Sequence, residues 1–162
     1  EHIAYPGGMI AGLNGWQESY DRSVEIGKSN LRQRIADNEA QCGRSTQYVL
    51  LGYSQGARVV GDVTEEILSD RPYGDGNDIA DRLTARNYSD PRSSTGVETL
   101  FPGELIPGVT LSGPRGPQAE EFIDNNCIKG DGVCDVKTPA DGAAWLFDSI
   151  IGYLLNHTAY GK

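Results

Sequence analysis

At 162 residues and 38% apolar composition, the chain reads as one globular domain large enough to bury a core. A net charge of −9 argues against nucleic acid as a partner, because phosphate binding draws on clustered Lys and Arg, and no apolar run is long enough to span a membrane. The sequence starts at Glu1 without a methionine or a signal-peptide pattern, which marks it as processed or truncated.

In chain order, residues 2–6 (HIAYP) are short, apolar and followed by Gly-Gly, which predicts the end of a strand. From Trp16 to about Glu39, Tyr20, Val24, Leu31 and Ile35 fall on one helical face. Residues 46–52 (TQYVLLG) form a near-continuous apolar run, expected for a parallel strand buried on both faces. After Ser54, the spacing of Val59, Val60, Val63 and Ile67 predicts an amphipathic helix. Residues 71–78 read as a loop, 82–91 as a weaker strand ending in Asp-Pro, and the proline- and glycine-rich stretch 91–118 as one long surface loop. Strand character resumes over 120–128, and 142–156 is strongly apolar and helical in pattern. Strands alternating with helices predict a three-layer α/β/α sandwich around a central, mainly parallel sheet.

Cys127 and Cys134 stand seven apart in CIKGDGVC, where glycines let a short loop close. A bridge there is worth roughly 2–3 kcal/mol through loop entropy. The alternative for paired cysteines is zinc, but neither a C-x-x-C nor a Cys/His cluster accompanies them. A disulfide implies an oxidising compartment, hence a secreted protein, and leaves Cys42 over.

Gly52-Tyr-Ser-Gln-Gly56 is a G-x-S-x-G pattern. Alone it is weak, and Ser54 could be an ordinary loop serine. A buried strand before it and an amphipathic helix after it supply the context of a nucleophile elbow, in which the turn lifts the serine hydroxyl above the sheet. The helix N-terminus would then present the backbone N–H of Gln55 to a developing oxyanion. A serine nucleophile needs a base, and the chain holds two histidines, His2 and His157. In α/β hydrolases the order is Ser, acid, His, which favours His157. The acid is open on residue chemistry alone. Asp90 ends a predicted strand, Asp131 sits inside the Cys127–Cys134 loop, and Asp124, Asp135, Asp141 and Asp148 are further candidates.

Taken in order, these motifs resemble the cutinases, secreted serine esterases of the α/β-hydrolase class, in the style of their actinobacterial members. GYSQGA (52–57) is similar to the family's elbow, CIKGDGVC (127–134) to its C-x-x-G-D-x-V-C loop, and HTAY (157–160) to its H-x-x-Y segment. The resemblance covers about residues 2–68 and 120–160. It implies a triad of Ser54, Asp131 and His157, with Gln55 as an oxyanion donor. It further implies an acyl-enzyme formed from aliphatic or lipid esters, with no metal and no cofactor. Residues 1–162 would form a single such domain lacking the family's additional N-terminal strand, the second oxyanion donor that follows it, and the C-terminal helix. The same strand region would hold a partner for Cys42. Acyl transfer between lipids on the same triad, and a silent binding module of the same fold, are the alternatives.

Residues 143–155 (AAWLFDSIIGYLL) have two readings. One is a helix with Trp145, Ile150 and Leu154 in the core; the other is a lipid-facing flap beside His157. Asn87 and Asn156 stand in N-x-S/T sequons, and 75–81 (DGNDIAD) is acidic without the spacing of a calcium loop.

Overall fold

A computed structural model of the chain describes residues 1–12, 15–69, 77–142 and 145–160. The first helix, α1, runs Tyr20–Cys42. The hydroxyl of Ser19 accepts the N–H of Arg22 as an N-cap, so the helix starts four residues later than the apolar pattern alone predicts. Tyr20, Val24, Leu31 and Ile35 are buried, as their spacing requires. A short 3₁₀ turn, Gly43–Ser45, leads into strand β1, Tyr48–Tyr53. Helix α2, Gln55–Leu68, follows at once and buries Val59, Val60, Val63 and Ile67 against α1 and the sheet.

After the short α3, Asn77–Ala80, strand β2, Leu83–Tyr88, pairs in parallel with β1. Helix α4 is Val97–Leu100, and strands β3, Gly103–Ile106, and β4, Val109–Leu111, form an antiparallel hairpin. Helix α5, Pro117–Phe122, has proline at its first turn, where a missing N–H costs nothing. Strand β5, Asp124–Asn126, pairs in parallel with β2, so the main sheet runs β1-β2-β5. Helix α6, Trp145–Asn156, follows a 3₁₀ turn at Pro139–Asp141. No helix among the described residues is long and apolar enough to cross a membrane.

The architecture is α/β with a parallel central sheet, as the alternating pattern predicts. Four local expectations need correction. β1 is buried on one face only: Tyr48 points inward, while Val49 and Leu51 are 67% and 65% exposed. Helices α1 and α2 cover the inward face, and Thr84 and Arg86 lie in register beside Val49 and Leu51 on the open one. Residues 2–6 form no strand. Pro6 has no N–H for a ladder, and the segment is held by side chains of α1 instead, with Asn30 donating to the carbonyl of Ala4 at 2.6 Å. The strand expected over 120–128 is confined to three residues because α5 occupies the positions before it.

The stretch 91–118 is not a surface loop. Besides α4 and the hairpin, it carries Arg92, Glu98 and Arg115, all buried. Glu98 meets Arg58 of α2 at 2.8 Å and accepts the hydroxyl of Tyr20 at 2.5 Å; Arg92 meets Asp62 at 2.6 Å; Arg115 meets Asp90 at 2.5 Å. Each buried charge has an opposite partner, which offsets the desolvation that would otherwise forbid it. Periodicity finds apolar faces, and this segment is fastened by ions. Of the loop predicted at 71–78, residues 71–76 lie outside the described residues, as does the start of the acidic run 75–81.

Candidate active site

Ser54 sits between the last residue of β1 and the first of α2, with φ 55° and ψ −123°. Such a backbone costs a non-glycine residue about 1–3 kcal/mol and persists only where its surroundings impose it. The N–H of Ser54 donates to the carbonyl of Tyr88, and its carbonyl accepts Ala57 and Arg58, so strand and helix hold the turn from both sides. Gly52 is required by close approach: a Cβ there would stand 2.5 Å from Cα of Ala57 and 2.7 Å from Oδ1 of Asn87. The N–H of Gln55 is among the first of α2, which have no carbonyl inside the helix. The Gln55 side chain is committed elsewhere. It donates to the carbonyl of Gly8 and accepts the hydroxyl of Ser23, both at 2.8 Å.

His157 follows α6 and reaches back over the elbow. Its Nε2 lies 2.9 Å from Oγ of Ser54 and its Nδ1 lies 3.2 Å from Oδ1 of Asp131. The rings of Tyr53 and Tyr153 stack on the imidazole with centroids 5.1 and 4.9 Å away, and the hydroxyl of Tyr53 donates to the His157 carbonyl. Residues separated by 103 positions are thereby joined in one hydrogen-bonded line.

Asp131 is fully buried inside the loop closed by the Cys127–Cys134 disulfide, whose Cα atoms are 5.9 Å apart. Burial by itself would raise its carboxyl, but hydrogen bonds from His157, Ser89, the N–H of Val133 and the hydroxyl of Tyr160 outweigh that and hold it below its ordinary value. The Val133 and Tyr160 bonds are each 2.9 Å long. Tyr160 is itself pushed up to about 12, first by burial and also by the adjacent carboxylate, so it stays a donor at neutral pH. Helix α6 lies directly on this loop. A methyl group at Gly152 would overlap the carbonyl of Gly130.

The other candidate acids lie away from His157. Asp90 binds Arg115, Asn87 and the N–H of Arg92, at 2.5, 2.7 and 2.9 Å, and is 1% exposed. Asp124 pairs with Arg86, Asp135 accepts the N–H of Gly130, Asp141 caps the turn at Thr138, and Asp148 is exposed on α6. His2 is exposed at the start of the chain. The sequon at Asn87 has no accessible acceptor, since that side chain is buried and donates to Ala57 and Asp90.

Two residues of the cluster were not singled out by sequence. Ser89, buried at the end of β2, places Oγ 2.8 Å from Nδ1 of His157. Tyr160 belongs to the HTAY motif, in which sequence alone gives it no role. Nothing local distinguishes Ser89 from any serine before Asp-Pro; only the convergence of β2, the bridged loop and the segment after α6 makes it part of the site.

Beside Tyr153 lies an apolar cavity of about 350 Å³, lined by Val97, Phe101, Leu105, Leu111, Trp145 and Tyr153 among others. Trp145 is half-buried and stacks on Phe101. Leu154, expected in the core under one of the two readings, is 60% exposed, and Leu155 is 67% exposed; the side chain of Ile150 lies outside the described residues.

A carboxylesterase Culp6 homolog of Corynebacterium glutamicum is 26% identical over 141 residues. That match takes in 72% of this chain but 44% of the relative, so the chain spans less than half of that protein's length. Among solved structures, a cutinase-like protein from Cryptococcus sp. aligns over 93% of this chain and 78% of its own, with a TM-score of 0.53 and 18% identity. An acetylxylan esterase aligns over 94% of this chain and 74% of its own, with a TM-score of 0.51 and 24% identity. These likenesses place the fold with the cutinase-like α/β hydrolases. The PE-PPE domain model matches residues 1–162, end to end, and the chain belongs to the PE-PPE domain family.

Proposed function

We propose that the protein is a serine esterase that hydrolyses carboxylic esters of aliphatic or lipid substrates through Ser54, His157 and Asp131. The observation that carries this reading is the unbroken line from Oγ of Ser54 through the imidazole of His157 to the carboxylate of Asp131, at 2.9 and 3.2 Å. In it, Nε2 takes the proton of Ser54 as Oγ attacks the ester carbonyl, and the imidazolium returns the proton to the leaving alcohol. Water, activated by the same histidine, then releases the acid from the acyl-enzyme. Asp131 is ionised at neutral pH, so it holds the imidazole in orientation and stabilises its cationic form. The N–H of Gln55, at the positive end of α2, faces the developing oxyanion.

The apolar cavity beside Tyr153 is of a size and lining that suit an acyl chain. The exposed Leu154 and Leu155 on α6 and Leu105 on the hairpin suit contact with a lipid surface. The disulfide favours an oxidising, extracellular setting. The curated relative is named a carboxylesterase and the structural neighbours are named cutinase-like and acetylxylan esterase, which supports the same class.

The test is hydrolysis of p-nitrophenyl esters from short to long chains, with organophosphonate labelling of the parent and of Ser54→Ala. Labelling at Ser54, with turnover lost in the folded variant, is expected. A parent that neither labels nor hydrolyses any ester of the series, or a Ser54→Ala protein with near-parent turnover, overturns the reading.

A further inference from the structure

Among the described residues, two that are not glycine have positive φ: Ser54, at 55°, and Ser89, at 52°. Both hydroxyls touch the same imidazole, one at each ring nitrogen. The strain at Ser54 is explained by the elbow. The strain at Ser89 has no such account, because asparagine or glycine would turn the chain there at lower cost. An observed backbone outlier inside a reactive cluster points to a function for its side chain.

At Nδ1 of His157, the Ser89 hydroxyl is nearer than the carboxylate. Oγ is 2.8 Å away, whereas Oδ1 and Oδ2 of Asp131 are 3.2 and 3.3 Å away. Ser89 is fully buried, so water does not compete for the position, and the carboxylate of Asp131 approaches the same nitrogen. For Nε2 to accept the Ser54 proton, the single proton of the neutral ring must sit on Nδ1. That N–H donates to Oγ of Ser89, and the Ser89 hydrogen is then left to point at the carboxylate.

We infer that Ser89 is a positioning residue that bridges His157 and Asp131, fixing the Nδ1–H tautomer and coupling the base to the acid. This rests on the triad reading above. The hydroxyl acts through the imidazole and touches no substrate. Its removal therefore slows the chemical step without weakening substrate binding.

Two substitutions separate this role from a purely structural one. Ser89→Gly removes the hydroxyl and relieves the backbone strain, while Ser89→Ala removes the hydroxyl and keeps the strain. Both variants are expected to lose about tenfold or more in kcat with KM unchanged. Their thermal midpoints should separate, with Ser89→Gly above Ser89→Ala. If Ser89 serves only the turn, activity follows stability, and Ser89→Gly works as well as the parent; that result overturns the inference. A second readout does not depend on turnover. In a ¹⁵N-labelled protein the Nδ1 proton of His157 should give a low-field resonance that moves in Ser89→Gly. Unchanged position in that variant refutes the bridge even if the protein proves to hydrolyse no ester. A parent without esterase activity whose resonance does shift refutes the catalytic reading and leaves the bridge standing.

Discussion

Asp131 and Asp90 are both buried carboxylates, yet their replacement by asparagine should do opposite things. Asp131→Asn keeps the shape of the side chain and can still accept the N–H of Val133. Its new amide N–H₂ faces Nδ1 of His157, however, and favours the tautomer that carries the proton on Nε2, where it can no longer take one from Ser54. Loss of the carboxylate from a serine-histidine-aspartate array costs on the order of 10⁴ in kcat in the chymotrypsin template. Stability should fall less than in Asp90→Asn, because among the described residues no permanent cation pairs with Asp131. Asp90→Asn leaves the guanidinium of Arg115, whose side chain is fully buried, without its 2.5 Å partner, and with Asp62 at 3.4 Å and the weaker field of Glu65. Removing one partner of such a pair costs about 3–5 kcal/mol. At 2–4 °C per kcal/mol for a chain of this size, that is a fall of roughly 6–20 °C in Tm. The assay is p-nitrophenyl ester turnover per folded molecule at a temperature where both variants are native, with thermal unfolding by circular dichroism. An Asp90→Asn protein that unfolds with the parent but has lost turnover, beside an active Asp131→Asn protein, would refute the assignment of the two carboxylates.

Reducing the Cys127–Cys134 bridge should cut turnover more than the folded fraction falls, since the loop carries Asp131 and a displacement of about 1 Å at a catalytic group can cost 10²-fold; activity that tracks the folded fraction across a reductant series contradicts this. Because Asp131 titrates below its unfolded value, its ionised form stabilises the fold fully above about pH 4, and that contribution disappears as pH falls through the lower folded value. The Tm gap between parent and Asp131→Asn should therefore be flat from pH 7 to 5 and close below about pH 4 in a calorimetric series. Leu154→Glu with Leu155→Glu should leave hydrolysis of a soluble short-chain ester unchanged and lower the rate on emulsified substrate several-fold, read by pH-stat titration; equal losses on both would place these residues in the site instead of at a lipid surface.

What the sequence made legible follows from what each element depends on. The elbow reads out of one short stretch because its requirements are local: a strand, two small residues and a helix whose apolar side recurs at Val59, Val63 and Ile67. Helices α1 and α2 follow from apolar spacing, while α4 and α5 fall where the sequence predicts loop and strand. β1 misleads because its apolar run reports composition, while burial depends on which layers cover the sheet. Residues 91–118 are opaque for a different reason. Arg92, Glu98 and Arg115 look like solvated charges until their partners on α2 and at Asp90 are known, and those partners lie 25 to 40 positions away for each pair. On residue chemistry, Asp131 and Asp90 could not be ranked. The family resemblance favoured Asp131, and the fold brings that residue to His157 while Arg115 claims Asp90. Ser89 lies beyond reach of any pattern, since its meaning depends on three segments meeting.

The serine and its two partners are mounted on different parts of the molecule. Ser54 is wedged between β1 and α2, the helix whose Val59, Val60, Val63 and Ile67 belong to the buried cluster. Asp131 and His157 ride on the bridged loop and on the end of α6, a helix that leaves Tyr153, Leu154 and Leu155 largely in solvent. Opening free energy is lowest where little apolar surface is buried, so the exposed C-terminal end of α6 with His157 should detach before the α1-α2-sheet body opens. Hydrogen exchange should accordingly show two tiers of protection, with slow amides in β1, β2 and α2 and faster ones in α6. In mild denaturant the contacts of His157 with Ser54 and Asp131 should then be lost ahead of the scaffold and be restored by reclosure of one segment without refolding of the chain.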